Sequence, residues 1–84
     1  MANRVAAATA TWQQVKRMQQ WQVAAELGIC PSRLSHYTKG RRMPSTRARA
    51  HMAQYFGLEH GDDLIGPADA EFLAKVYQIA KEMT

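Results

Sequence analysis

One cysteine, Cys30, is all the chain contains, so no internal disulfide can form and packing alone must hold the fold. A reducing cytoplasm is its expected setting. Apolar residues are frequent, at 46%, yet no run approaches the roughly 18 that a membrane span needs. The alanine-rich start lacks the long apolar stretch of a secretory leader. No segment alternates with period two, which argues against a sheet, and no repeat or low-complexity tract is visible. There is no nucleophile–base–acid triad, no carboxylate pair in a plausible cleft and no glycine-rich cofactor loop, so no enzyme and no cofactor is expected. The three histidines, His36, His51 and His60, fall on different elements, and Asp62, Asp63 and Asp69 lack the spacing of a calcium loop, so no metal site is expected either. Those acids read instead as helix caps and as negative charge near helix starts.

What is present is 84 residues, enough for one domain with a modest core. The charge is unevenly spread. Residues 1–26 carry Arg4, Lys16 and Arg17 against Glu26, a net of +2. Residues 27–58 carry Arg33, Lys39, Arg41, Arg42, Arg47 and Arg49 with no acid, a net of +6. Residues 59–84 carry Lys75 and Lys81 against Glu59, Asp62, Asp63, Asp69, Glu71 and Glu82, a net of −4. A basic middle and an acidic end imply one surface that meets an anion and another that faces away from it.

The apolar spacing predicts helices throughout. Residues 1–10 read as a loose arm or as the start of a helix, with Thr11 as the expected cap of a helix to about Arg17 that buries Trp12 and Val15. A second helix starts at Gln19 or Gln20. Val23, Ala24 and Leu27 form its apolar stripe, and Gly28 ends it. Pro31 suits the first turn of a third helix, where a missing N–H is no loss, and Leu34 and Tyr37 share its inner face. Gly40 closes that helix and a basic loop, stiffened by Pro44, follows. Ser45 is the expected cap of a fourth helix to about Phe56, with Ala50, Ala53 and Phe56 inward and Met52 adjacent. Gly57 ends it, Leu64 and Ile65 return to the core, and Gly66-Pro67 breaks the chain before an amphipathic helix over 68–83.

Gln22 to Ser45, QVAAELGICPSRLSHYTKGRRMPS, carries a pattern with a physical reason. Ala24 is small where two helices cross closely, and Gly28 supplies a backbone conformation denied to residues with a Cβ. Val23, Leu27, Ile29, Leu34 and Tyr37 knit the pair to the core. Together with Ser35, Gly40, Arg41, Arg42, Pro44 and Ser45, this stretch resembles the helix-turn-helix of the phage-repressor and Cro family, the lambda-repressor-like DNA-binding domains. The resemblance covers roughly residues 11–66, leaving 1–10 as a possible arm and 67–84 as a separate amphipathic helix. It departs from the family at Cys30, where Ser or Thr usually caps the recognition helix, at Thr38, and at Thr46 and Arg49 of the fourth helix. The join before Gln19 also lacks the family's usual glycine. Cys30 itself is expected to be a semi-buried small apolar residue and not a nucleophile.

The resemblance implies an all-α bundle of five or six short helices, bound to double-stranded DNA. It also implies that the first turn of the recognition helix reads bases, through Pro31, Ser32 and Arg33, with His36 one turn later. Arg33 has the fork that fits guanine O6 and N7. Pro31 has no polar group to offer a base, so it touches a thymine methyl or merely starts the helix. Phosphate contacts are implied for Gln20, Lys39, Arg41 and Arg42, with Arg47 and Arg49 as further candidates. The expected function is transcription regulation, as a small repressor of phage or mobile-element type acting in the cytoplasm. Two other readings stand beside it: an antitoxin-like module that covers a protein partner with its C-terminal helix, and a non-specific nucleoid or RNA-binding protein.

The C-terminal helix is apolar over an unusually wide arc. Phe72, Val76, Ile79 and Met83 recur at i, i+4, i+7 and i+11, and Leu73, Tyr77 and Ala80 add a neighbouring stripe. Such a helix needs two surfaces to cover it. One would be its own domain; the other is expected to be the same helix of a second copy, in a two-fold contact, unless the domain's own helices cover both stripes. Phe72, Leu73, Val76, Tyr77 and Ala80 are the candidates for that homodimer.

Overall fold

Asn3 starts the first helix: its side-chain oxygen accepts from the Ala6 N–H at 2.7 Å, satisfying a donor that a helix start leaves free. The computed structural model describes residues 3–83. Helix α1 runs Arg4–Val15. Its alanines favour helix intrinsically, and Val5, Ala8, Thr9 and Trp12 bury one face at i, i+3, i+4 and i+7. Residues 4–10 are therefore not an arm; residues 1 and 2 lie outside the described residues. Thr11 is not a cap either. It sits in mid-helix, and its hydroxyl donates back to the Ala7 carbonyl at 2.8 Å. The chain leaves α1 through Arg17, which holds a left-handed φ of 54°, doing without a glycine what a glycine does more easily.

The remaining helices are α2 (Gln20–Leu27), α3 (Pro31–Thr38), α4 (Thr46–Phe56) and α5 (Ala70–Glu82), with a 3-10 turn at Gly61–Leu64. The architecture is an all-α bundle, and the only strand-like feature among the described residues is an isolated bridge between Asn3 and Pro67. Gly28 stands at φ 75° between α2 and α3, the left-handed position that turn requires. Ser45 caps α4 by accepting from Ala48 N–H, and Asp69 caps α5 by accepting from Phe72 N–H. Gly61 allows the 3-10 turn to lie on α4: a Cβ there would come within 2.8 Å of the Ala50 backbone nitrogen.

The core runs through all five helices. Trp12 of α1 is fully buried and meets Phe56 of α4 edge-on, with ring centroids 4.9 Å apart. Leu34 and Tyr37 tie α3 into it, and Met52, Ala53 and Phe56 tie in α4. Ala50 is exposed, not inward, and Ile65 lies in the open beside the buried Leu64. Ile65 is left out because the 3-10 turn packs against α4 and turns only Leu64 inward.

Helix α5 belongs to this core. It packs mainly against α1, and three of the five candidate dimer residues, Phe72, Val76 and Ala80, are buried within the chain itself. The early start of α1 is the reason: residues 4–10, which the sequence leaves open between an arm and a helix start, are helical and supply the apolar surface that α5 covers. Of the five candidates only Leu73 and Tyr77 remain exposed.

Candidate nucleic-acid interface

Helix α3 is built to present side chains. Pro31 occupies its first turn, and Leu34 and Tyr37 bury its inner line. Asn3 Nδ2 donates to the Tyr37 carbonyl at 2.9 Å, so the cap of α1 also pins the end of α3. With α3 fixed from behind, Pro31, Ser32, Arg33 and His36 are all exposed. At about 100° per residue, Ser32 and Lys39 point almost directly away from the buried line, with Ser35 and His36 on either side of them. Arg33 sits on a flank, about 70° from that line. The outermost positions are therefore Ser32 and Lys39, while Ser35 is half-buried.

The basic loop is tied to the same helix. The Arg41 and Arg42 N–H groups both donate to the His36 carbonyl, at 2.9 and 3.3 Å, and Lys39 N–H donates to Ser35. Lys39, Arg41 and Arg42 are thus held one short turn beyond His36, and all three side chains are exposed. Arg47 is exposed on the first turn of α4, and Gln20 is half-buried at the start of α2. Arg49 does not join them. Its guanidinium donates to the Pro44 carbonyl at 2.8 Å and to the Thr46 hydroxyl at 3.3 Å, so it braces the loop that carries the other arginines. That bracing accounts for a polar residue at this place on α4.

Two contacts set α4 against α2. His51 Nε2 lies 2.8 Å from the Leu27 carbonyl, and the Tyr55 hydroxyl donates to Glu26 at 2.5 Å. The first makes His51 a tie between helices. The second engages the one acid near α3 in sequence. Burial, reinforced by the hydrogen bond and charge of Glu26, raises the Tyr55 hydroxyl well above its ordinary range.

Cys30 departs from expectation. It is exposed at the N-cap of α3, where its thiol makes no cap bond. The Ser32 hydroxyl 3.3 Å away is the main influence lowering its pKa. The turn from Gly28 swings residue 30 outward, and Ile29 is the half-buried one that packs on the core.

The acids gather elsewhere. Asp69 caps α5, Asp63 accepts from the His60 N–H at 3.2 Å, and Arg4 lies among them with its guanidinium 4.0 Å from the Asp69 carboxylate. Arg4 Nε donates to the Pro67 carbonyl at 3.0 Å and Nη1 to that of Asp63 at 2.9 Å, so this arginine is an internal clamp. Among the described residues no three His, Cys, Asp or Glu side chains cluster as a metal-binding set, and no helix is long and apolar enough to cross a membrane. One large side chain escaped the sequence reading. Trp21, on the first turn of α2, is 60% exposed, and the spacing of Val23, Ala24 and Leu27 carries the signal that could have found it, since residue 21 lies about 110° from the centre of that stripe. No protein-family model, no curated protein and no solved structure matches this chain.

Proposed function

We propose that the protein is a sequence-specific double-stranded DNA-binding protein of the phage-repressor and Cro helix-turn-helix type, acting as a transcription regulator. One observation carries the reading. A short helix, held by Leu34 and Tyr37, exposes Ser32, Arg33 and His36 beside a loop that exposes Lys39, Arg41 and Arg42. A helix with polar outer positions fits the width of a major groove, and flanking cations suit the phosphates on its rims. In this reading Ser32, Arg33 and His36 read bases, Pro31 starts the helix, and Gln20, Lys39, Arg41, Arg42 and Arg47 anchor the backbone.

The absence of acids from residues 27–58 supports a polyanionic partner. One helix-turn-helix spans few base pairs, so we propose a homodimer on a two-fold site. Leu73 and Tyr77, exposed and four residues apart on α5, are its contact.

Selection of bound duplexes from a random library tests the function directly. The expected outcome is a defined, two-fold symmetric site, to which binding weakens steeply with salt. Arg41→Ala with Arg42→Ala should weaken selected and scrambled duplexes about equally and lower the salt slope by up to about two units. Enrichment of no sequence, with tight binding to any duplex or to RNA, would instead establish the nucleoid or RNA-binding alternative.

A further inference from the structure

Two tryptophans have opposite fates in this fold. Trp12 is wholly buried among Tyr55 and Phe56, whereas Trp21 is 60% exposed on the first turn of α2. Among the described residues the Trp21 side chain has no ring pairing, no cation–π contact and no hydrogen bond. Its ring N–H is a donor only, so any partner must bring an acceptor.

Its position narrows the partner. Glu26 and Leu27 meet Tyr55 and His51, so that flank of α2 faces α4. Trp21 lies about 140° around the helix from Glu26 and is turned away from α4. The chain around it carries Arg17, Gln19, Gln20 and Gln22 and no acid before Glu26, whose carboxylate is taken by Tyr55; the Lys16 ammonium is turned onto the Trp12 ring. Gln20, its immediate neighbour, is one of the residues assigned to phosphate. An exposed indole flanked in the chain by Arg17 and three amides, next to a residue proposed to meet phosphate, matches a polyanion that also has an apolar component.

We propose that Trp21 is a DNA-backbone contact: its ring covers a deoxyribose at the edge of the groove entered by α3, and its Nε1–H donates to the adjoining phosphate. The inference rests on the DNA-binding reading above and extends the contact surface from α3 and its loop onto α2. A backbone contact carries no base information, so Trp21 contributes affinity irrespective of sequence.

The test uses the full chain, a short duplex bearing the selected site and a scrambled duplex of equal composition. On titration with the selected duplex, wild-type tryptophan emission should shift saturably. The response should vanish in Trp21→Phe, which keeps only the buried Trp12. Trp21→Ala should weaken both duplexes by about tenfold, equivalent to ~1.4 kcal/mol. Trp21→Phe, retaining a ring but no donor, should fall between. Because the wild-type emission reports without substitution, a variant that fails to fold leaves the proposal open to refutation. If the wild type binds DNA but its emission does not respond, or Trp21→Ala binds as tightly, the contact is wrong and the DNA reading stands. If Trp21→Ala instead changes the sedimentation of the free protein, the indole faces another protein chain and the proposal is overturned. If the wild type binds neither duplex, both readings fall.

Discussion

Arg4 lets stability and DNA binding be separated. By composition it is one more cation on a basic protein; in the fold its guanidinium donates to the Pro67 and Asp63 carbonyls and lies 4.7 Å from the Phe72 ring centroid. It therefore joins α1 to the 3-10 turn and to α5. Each charge-assisted hydrogen bond is worth about 1.5–3 kcal/mol when fully sheltered. The Arg4 side chain keeps 23% of its exposure, and the Pro67 bond is itself exposed, so about 1–1.5 kcal/mol for each is the better figure. The ring contact adds about 0.5–1 kcal/mol. The Asp69 pair, at 4.0 Å with a carboxylate 54% exposed, adds little. Freeing the side chain on truncation returns about 1–2 kcal/mol of rotamer entropy. The net loss for Arg4→Ala comes to about 2 kcal/mol, or a fall in Tm of about 8–16 °C for a chain of this size. Urea unfolding followed by Trp12 emission in a Trp21→Phe background measures it. Arg4→Lys should recover less than half, since an ammonium cannot reach both carbonyls as a planar fork does. DNA affinity at a temperature where the variant is folded should stay within about twofold of wild type. A stability loss below about 0.5 kcal/mol would refute the clamp, the cost then being no more than that of an ordinary surface change. A large loss of DNA affinity in the folded variant would place Arg4 on the nucleic acid instead.

Arg33→Ala and His36→Ala should each relax preference at particular bases by about 1–3 kcal/mol, read by comparing binding to single-base variants of the selected site. Equal loss on all sequences would demote both to positioning roles. Arg17→Gly should stabilise the protein by about 0.5–1 kcal/mol in urea unfolding, because glycine takes the φ of 54° without a Cβ penalty. A destabilised variant would mean that the Arg17 side chain makes a contribution larger than its strain. Tyr55 has a raised pKa in the fold, so its contribution is present below the unfolded value and is lost as pH climbs above about 10. Alkaline stability curves should therefore fall more steeply for wild type than for Tyr55→Phe, and parallel curves would contradict the Glu26 tie.

Local chemistry was legible in the sequence wherever one or two residues decide the backbone. Pro31 at a helix start, Gly28, Gly40 and Gly57 at left-handed positions, Ser45 as a cap and the 3.6-residue spacing of Val23, Ala24 and Leu27 each act over a single turn. Those signals determined an all-helical chain, a tight turn before α3 and the outward placement of Ser32, Arg33 and His36. The concentration of cations between residues 27 and 58 was likewise present in the sequence alone. Tertiary structure decided which polar groups are free to act. Arg4 and Arg49 carry the same side chain as Arg41 and Arg42, yet the first two spend their donors on the carbonyls of Pro67, Asp63 and Pro44 while the others remain exposed. Asn3 likewise reaches Tyr37 across 34 positions of chain. On the widely apolar α5, α1 covers Phe72, Val76 and Ala80 and leaves Leu73 and Tyr77 exposed, a division that spacing alone does not give. Spacing along a helix states which side chains share a face, but which faces are covered depends on elements distant in sequence that meet only when the bundle closes.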